Sequence, residues 1–294
     1  MEITQEIIEK IKVLNEKYWD YIELDTLLSL QKPRTKFPDE EIFIIYHQIT
    51  ELYFKLSLNE FKMISSTKEI SGDFFFERVR RITRYFNALI ESFEIMVDGM
   101  DNKEFMKFRM ALLPASGFQS AQYRMIEIHS TEIKNLVGVD RRDALKNEKD
   151  VQTLYENIYW KEGAKDLETQ KKTLTLIQFE EQYDKKLAEY AKDVQSSNLL
   201  AKYNQLSEAD KSREDIIEEL RKLDLCVNVN WPLSHYKSAV RYLQTKGGDV
   251  NATGGTNWQK YLPPRFQKRI FFPALWSKNE VENWGKAWVE EATN

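Results

Sequence analysis

Three histidines, one cysteine and one arginine on an aromatic face carry most of the chemistry this 294-residue chain could perform. His47 sits in Phe43-Ile-Ile-Tyr-His-Gln-Ile-Thr-Glu-Leu-Tyr-Phe-Lys55, a run so apolar and aromatic that its imidazole needs a hydrogen-bond partner or a chemical task. On a helix, Phe43 lies one turn before it and Glu51 one turn after, so all three share a face. A lone histidine in that setting is more often a hydrogen-bonded core residue than a ligand or catalyst. His235 follows Trp231-Pro232-Leu233-Ser234, near the expected start of a helix. It reads either as a core or surface residue or as a single axial haem ligand, which would leave the opposite side of the iron open to oxygen. His129, among the polar residues of Glu-Ile-His-Ser-Thr, is expected to be exposed. Arg109, in Phe105-Met-Lys-Phe-Arg-Met, shares a helical face with Phe105 and with Leu112 or Leu113. It either snorkels to solvent or grips a carboxylate through its two-pronged guanidinium.

The same inventory excludes much. A His-rich zinc or non-haem iron site has almost no ligands to draw on, and the lone Cys226 rules out disulfides within the chain and cysteine-rich metal patterns. No Ser-His-Asp or Cys-His arrangement stands out, and no carboxylate cluster is singled out from an abundance of charge. The loop Ala252-Thr-Gly-Gly-Thr256 lets main-chain N–H groups approach a ligand, but it lacks the strand, helix and lysine of a P-loop. A net charge of -4 offers no basic footprint for nucleic acid. No apolar stretch approaches the roughly 18 to 20 residues that span a bilayer. The sequence Met-Glu-Ile-Thr-Gln-Glu lacks a basic segment followed by an apolar one, so a cytoplasmic protein without a membrane partner is expected.

Positioning these residues falls to helices. The chain is 42% hydrophobic with only 10 glycines and 7 prolines, which favours long helices and few turns. Apolar residues recur at helical spacing over 3–30, with a break at Lys32-Pro33. Pro38-Asp39-Glu40-Glu41 then opens a helix to about Ser65 that carries His47, with acidic residues where the helix dipole favours them. Further helices are expected over 74–97, 102–113, 119–134, 166–194 and 207–223, then one after Trp231-Pro232 that carries His235, and a last over 279–291. Leu113 to Ser120 reads as a turn, 140–165 as a charged solvated stretch, and Lys246 to Thr256 as the only Gly-rich loop. No convincing strand pattern or long repeat is present, so the expectation is an all-α helical bundle forming a single domain over 1–294.

Several segments, in order, resemble the tryptophan 2,3-dioxygenases. Tyr18-Trp-Asp-Tyr-Ile-Glu-Leu-Asp-Thr-Leu-Leu-Ser-Leu-Gln31 is similar to that family's N-terminal segment, and Asp39 to Lys55 to its distal-histidine helix. Phe108-Arg-Met-Ala-Leu-Leu-Pro-Ala-Ser-Gly-Phe-Gln-Ser-Ala-Gln-Tyr-Arg124 is similar to its most recognisable stretch. Thr253-Gly-Gly-Thr256 and Phe271-Phe-Pro-Ala-Leu275 resemble its C-terminal motifs. Motifs in the right order are far more specific than any one alone.

The resemblance implies a helical homotetramer with a buried haem pocket, ferrous when active, that uses O2 to open the pyrrole ring of L-tryptophan to N-formyl-L-kynurenine. Carried over position by position, His235 would be the proximal iron ligand and His47 the distal residue near the indole N–H. Arg109 would pair with the substrate carboxylate, Thr253 would contact the substrate's ammonium and carboxylate end, and Phe43 and Phe105 would wall the indole. Backbone around Ser116 and Gly117 would border the haem, and Tyr18 and Tyr21, in the segment 1–31, would reach a neighbouring subunit's pocket. Three departures motivate a second reading, an oxygenase of a modified tryptophan or another indole. Tyr53 stands where the family usually has Trp, Ser234 where it has Arg, and Gly247-Gly-Asp-Val-Asn251 is an insertion.

Overall fold

The structure, a computed structural model, describes residues 17–112, 119–165, 171–245, 248–249, 259 and 262–286. Short helices α1 (Tyr18–Tyr21) and α2 (Leu24–Leu28) lead into the longest element, α3 (Asp39–Ser66). Asp39, Glu40 and Glu41 occupy the first turn of α3, as the dipole argument requires. Tyr46, Thr50, Phe54, Ser57, Phe61 and Ile64 form its buried side at steps of three and four residues. On its outer side Ile45, Ile49, Leu52, Leu56 and Met63 are exposed by 37 to 47%, forming an apolar stripe.

α4 (Gly72–Ser92) starts where the Ser71 side chain accepts the Phe74 N–H, and it buries Phe75, Val79, Ile82, Phe86 and Leu89. It runs antiparallel to α3. Tyr46 Oη donates to the Leu89 carbonyl at 3.1 Å near one end, and Arg78 reaches Glu60 at 2.9 Å near the other. α5 (Glu94–Val97), α6 (Asn102–Phe108) and a 3-10 turn over Arg109–Leu112 follow. Then come α7 (Ala121–Ser130), α8 (Val151–Glu156), α9 (Tyr159–Gly163), α10 (Leu174–Asp193), α11 (Leu199–Asn204) and α12 (Glu208–Lys211).

The C-terminal third departs most from expectation. α13 (Glu214–Leu225) does not end before Trp231-Pro232 but passes through a π-helical turn, Cys226–Asn230, into α14 (Trp231–Leu243). His235 therefore lies well inside a continuous helical rod. Proline cannot donate to the carbonyl four residues back and its ring crowds that carbonyl. The turn relieves both problems by switching to wider bonding, with the Trp231 N–H reaching back five residues to the Cys226 carbonyl.

The fold class is all-α as expected; the described strands are one two-residue antiparallel pair, Gln244–Thr245 with Gly248–Asp249, at the start of the Gly-rich loop. α15 (Pro264–Gln267) and α16 (Lys278–Glu282) complete the described helices, and the remainder of the expected 279–291 helix lies outside the described residues. The other differences are at boundaries: α7 stops at Ser130, and the expected 102–113 helix tightens to 3-10 from Arg109. The larger apolar core draws residues from Tyr46 to Phe272, with Phe54 packed against both Phe86 (5.9 Å) and Trp231 (6.0 Å). Among the described residues, no helix is long and apolar enough to cross a membrane.

Candidate active site

α14 presents His235 one turn after Trp231, and Nδ1 lies 2.9 Å from the Trp231 carbonyl oxygen. A carbonyl only accepts, so Nδ1 carries the proton and Nε2 keeps its lone pair. The ring packs between Phe93 and Trp231, each 4.4 Å away between centroids. Burial lowers its pKa to about 4, with smaller pushes from His47 and Arg269, so the imidazole is neutral at physiological pH. A neutral, oriented ring with a free Nε2 is what a metal ligand requires. Among the described residues no group of three His, Cys, Asp or Glu side chains is arranged to hold a metal.

α3 presents His47 in the same way. Its Nδ1 lies 2.7 Å from the Phe43 carbonyl oxygen, its ring lies tilted 4.1 Å from Phe43, and Tyr46 meets it edge-on at 6.3 Å. Burial lowers the pKa against smaller opposing effects of that bond and of Glu51. His47 is thus neutral, with Nε2 free to accept. Glu51, which shares the face, receives Gln122 Nε2 at 2.7 Å from α7. A chain of ring contacts joins the two imidazoles: His235 against Phe93, Phe93 against Tyr46 at 5.6 Å, and Tyr46 against His47.

From Phe43 the aromatic wall continues to Phe108 (6.2 Å), Phe105 (5.5 Å from Phe108) and Tyr242 (4.6 Å from Phe105). Arg109, next in the chain after Phe108, is only 4% exposed. That excludes snorkelling, and burial pulls its pKa below the ordinary guanidinium value. The structure therefore brings His47, Phe43, Phe105 and His235 onto one connected set of ring contacts, with Arg109 buried at the next position after Phe108. Tyr18 and Tyr21 stand apart from it, 71% and 78% exposed. Ser116, Gly117 and Thr253 lie outside the described residues.

The chain matches the family model described as tryptophan 2,3-dioxygenase over residues 4–222. The chain belongs to the tryptophan 2,3-dioxygenase family. It is 29% identical to the tryptophan 2,3-dioxygenase of Bacillus thuringiensis subsp. konkukian over 283 residues, covering 90% of this chain and 91% of that protein. It is 28% identical, with the same coverage, to that of Bacillus cereus ATCC 10987. A shorter match of 112 residues, 38% identical, links it to that of Ruegeria pomeroyi, covering 37% of this chain and 40% of that protein. Tryptophan 2,3-dioxygenases are haem-dependent oxidoreductases, and the single free Nε2 of His235 fits that cofactor.

Sequence reasoning missed two buried polar clusters around this family framework. Glu127 on α7 is fully buried and bonded by Arg124 at 2.7 Å, by Tyr159 at 2.5 Å and by Arg269. Arg269 also reaches Tyr123 Oη, which donates to the Val227 carbonyl inside the π turn. A carboxylate set in the apolar face of α7 was the available signal.

His129 is the second, and its expected exposure is wrong: it is 4% exposed and stacks 5.1 Å from Phe61. Ser65 Oγ donates to the Ser197 carbonyl at 2.7 Å, so His129 Nε2–H must donate to Ser65, and Tyr190 Oη donates to Nδ1. With its proton committed, Ser65 is no nucleophile. Burial lowers the His129 pKa to about 4, whereas an unfolded imidazole titrates near about 6.5. The unfolded chain thus takes up a proton that the folded one refuses, and this contribution to stability is lost as pH falls from about 6.5 to 4. His129→Gln should flatten the decline of the urea midpoint across that window; an unchanged decline would refute this assignment.

Proposed function

We propose that this chain is a haem-dependent dioxygenase that inserts both atoms of O2 across the indole C2–C3 bond of L-tryptophan, giving N-formyl-L-kynurenine. The observation that carries this reading is the pair of neutral imidazoles, His47 and His235, each with Nδ1 tied to the carbonyl one turn back. One Nε2 is left to bind iron and the other to accept from an indole N–H. Membership of the tryptophan 2,3-dioxygenase family supports it.

His235 would hold the haem iron, and the backbone at Ser116 and Gly117 would border the ring. Haem held through one imidazole supplies the metal that lets ground-state oxygen react with a closed-shell indole. The chain's own residues supply position. His47 Nε2 accepts the indole N–H and fixes the rotation of the ring, with no requirement that it remove the proton. Phe43 and Phe105 wall the indole and exclude water, while Arg109 grips the carboxylate and Thr253 contacts the ammonium and carboxylate end. Holding the reacting carbons at near-attack distance is where such contacts lower the barrier.

Reduced, haem-replete protein given L-tryptophan and O2 should yield N-formyl-L-kynurenine, 32 mass units above substrate for the two oxygen atoms gained; absence of product would reject the reading. The second reading, an oxygenase of a modified tryptophan or another indole, is favoured by Ser234. Its hydroxyl donates to the Asn230 carbonyl at 3.1 Å and so is committed to its own helix, at the position where the family resemblance leads one to expect arginine. Addition of one oxygen atom, across a panel of substituted indoles, would support it.

The working form is a homotetramer, in the cytoplasm, with Tyr18 and Tyr21 entering a neighbour's site. The exposure of both tyrosines and the bare stripe on α3 support self-association. Leu52→Asp with Leu56→Asp should shift the sedimenting species to a smaller one without loss of helicity. An unchanged sedimentation coefficient would remove this stripe from the interface.

A further inference from the structure

The turn that carries the chain past Pro232 is held by an unusual anchor. Asp224, fully buried at the end of α13, accepts four hydrogen bonds. Oδ1 takes the Phe271 N–H at 2.9 Å and Asn228 Nδ2 at 2.7 Å; Oδ2 takes the Phe272 N–H at 3.2 Å and Trp276 Nε1 at 3.0 Å. Four donors fill the acceptor capacity of a carboxylate. Burial raises its pKa to about 6, against the pull of all four donors, so the group is ionised at neutral pH.

Three of those donors come from the segment 271–276, and the fourth, Asn228, lies inside the π turn. Ile270 and Trp284 pack with Val229 and Leu233 in a small separate core, and Arg221 lies 4.2 Å over Trp276. The C-terminal segment is thereby clamped along the rod that ends in α14. A π turn holds one residue more than an α turn, which rotates everything downstream by about 100°. His235 is downstream. Where the widening occurs, and whether it persists, decides which way the imidazole points. Asn228 bears a cost for this arrangement, because its Oδ1 is buried with no hydrogen-bond donor among the described residues.

We infer that Asp224 is a positioning residue for His235: by tying Asn228 in the π turn to the backbone of 271–272, it locks the helical phase that aims the imidazole Nε2 into the site. This inference rests on the reading of His235 as the iron ligand. The acceptor capacity of Asp224 is filled by these four donors, so it acts through the turn.

The test compares Asp224→Asn and Trp276→Phe with the unaltered protein and with Leu199→Ala, a core truncation remote from the rod. Asn at 224 turns one acceptor into a donor facing other donors; Phe at 276 removes a single N–H and keeps a ring against Trp284, at 4.9 Å in the parent. Resonance Raman spectra of the reduced holoproteins read the iron–imidazole stretch, and haem transfer to apomyoglobin reads the dissociation rate. Both Asp224→Asn and Trp276→Phe should shift or broaden the stretch. Asp224→Asn should speed haem loss by roughly tenfold, the low end for residues that orient a metal ligand from behind. Leu199→Ala should lower stability and leave the stretch in place. In haem-free Asp224→Asn, amide exchange should rise together in 226–235 and 271–276. Should Asp224→Asn fail to fold, the Trp276→Phe spectrum decides. A stretch identical to the parent's in the folded variants would overturn the positioning role. A parent protein that shows no iron–imidazole band would instead overturn the haem reading.

Discussion

His235→Ala should purify folded but without a Soret band. The substitution removes the free Nε2, and because alanine is a better helix former than histidine, α14 persists. The loss of contacts to Phe93 and Trp231 costs about 1 to 3 kcal/mol, which a domain of this size tolerates. Haem retention should fall more than about 100-fold, beyond the range seen when only outer partners of a ligand are removed. Imidazole added in solution should restore part of the Soret band by filling the space left by the ring. His47→Ala provides the contrast: it keeps haem and loses one neutral hydrogen bond to substrate, about 1 kcal/mol or roughly fivefold in kcat/KM. Haem content unchanged in His235→Ala would sink the assignment of the iron ligand and revive the view that both imidazoles are core residues.

Arg109→Ala should lower kcat/KM for L-tryptophan by about 3 kcal/mol or more, roughly 200-fold. The size follows from burial. At 4% exposure the guanidinium would meet a substrate carboxylate with little water to screen the pair, and removing it would strand the substrate's charge. Arg109→Lys should recover only part of the loss, since an ammonium cannot reproduce the two-pronged contact. The discriminating measurement uses tryptamine, which lacks the carboxylate. The unaltered protein should prefer tryptophan strongly, and Arg109→Ala should erase most of that preference. An equal loss on both substrates would mean that Arg109 supports the fold and not the substrate.

What could be read from the sequence was what local spacing dictates. The long helices α3 and α4 follow from apolar residues at steps of three and four and, for α3, from Pro38 at its start; the Ser71 cap that begins α4 at Gly72 was not read. The common face of Phe43 and His47 follows from the same geometry. Partners far along the chain were invisible to it. His129 looked exposed beside Ser130 and Thr131, yet its burial is made by Phe61, Ser65 and Tyr190 from α3 and α10. Glu127 went unremarked in the sequence, because its partners Arg269 and Tyr159 lie far along the chain. Trp231-Pro232 looked like a helix start because proline normally forbids a helix interior, and the π turn that permits it depends on Asp224 and the segment 271–276.

The outer stripe of α3 bears on how the chain is made. α3 is apolar on its core side and along Ile45, Ile49, Leu52, Leu56 and Met63, so neither side is at ease in water until its covers arrive. α4 follows at once, but Trp231, which closes on Phe54, leaves the ribosome much later. Until then the nascent protein carries a long adhesive helix. Low-temperature expression or a chaperone that shields this segment should raise the soluble yield, because aggregation competes with the late arrival of the C-terminal third.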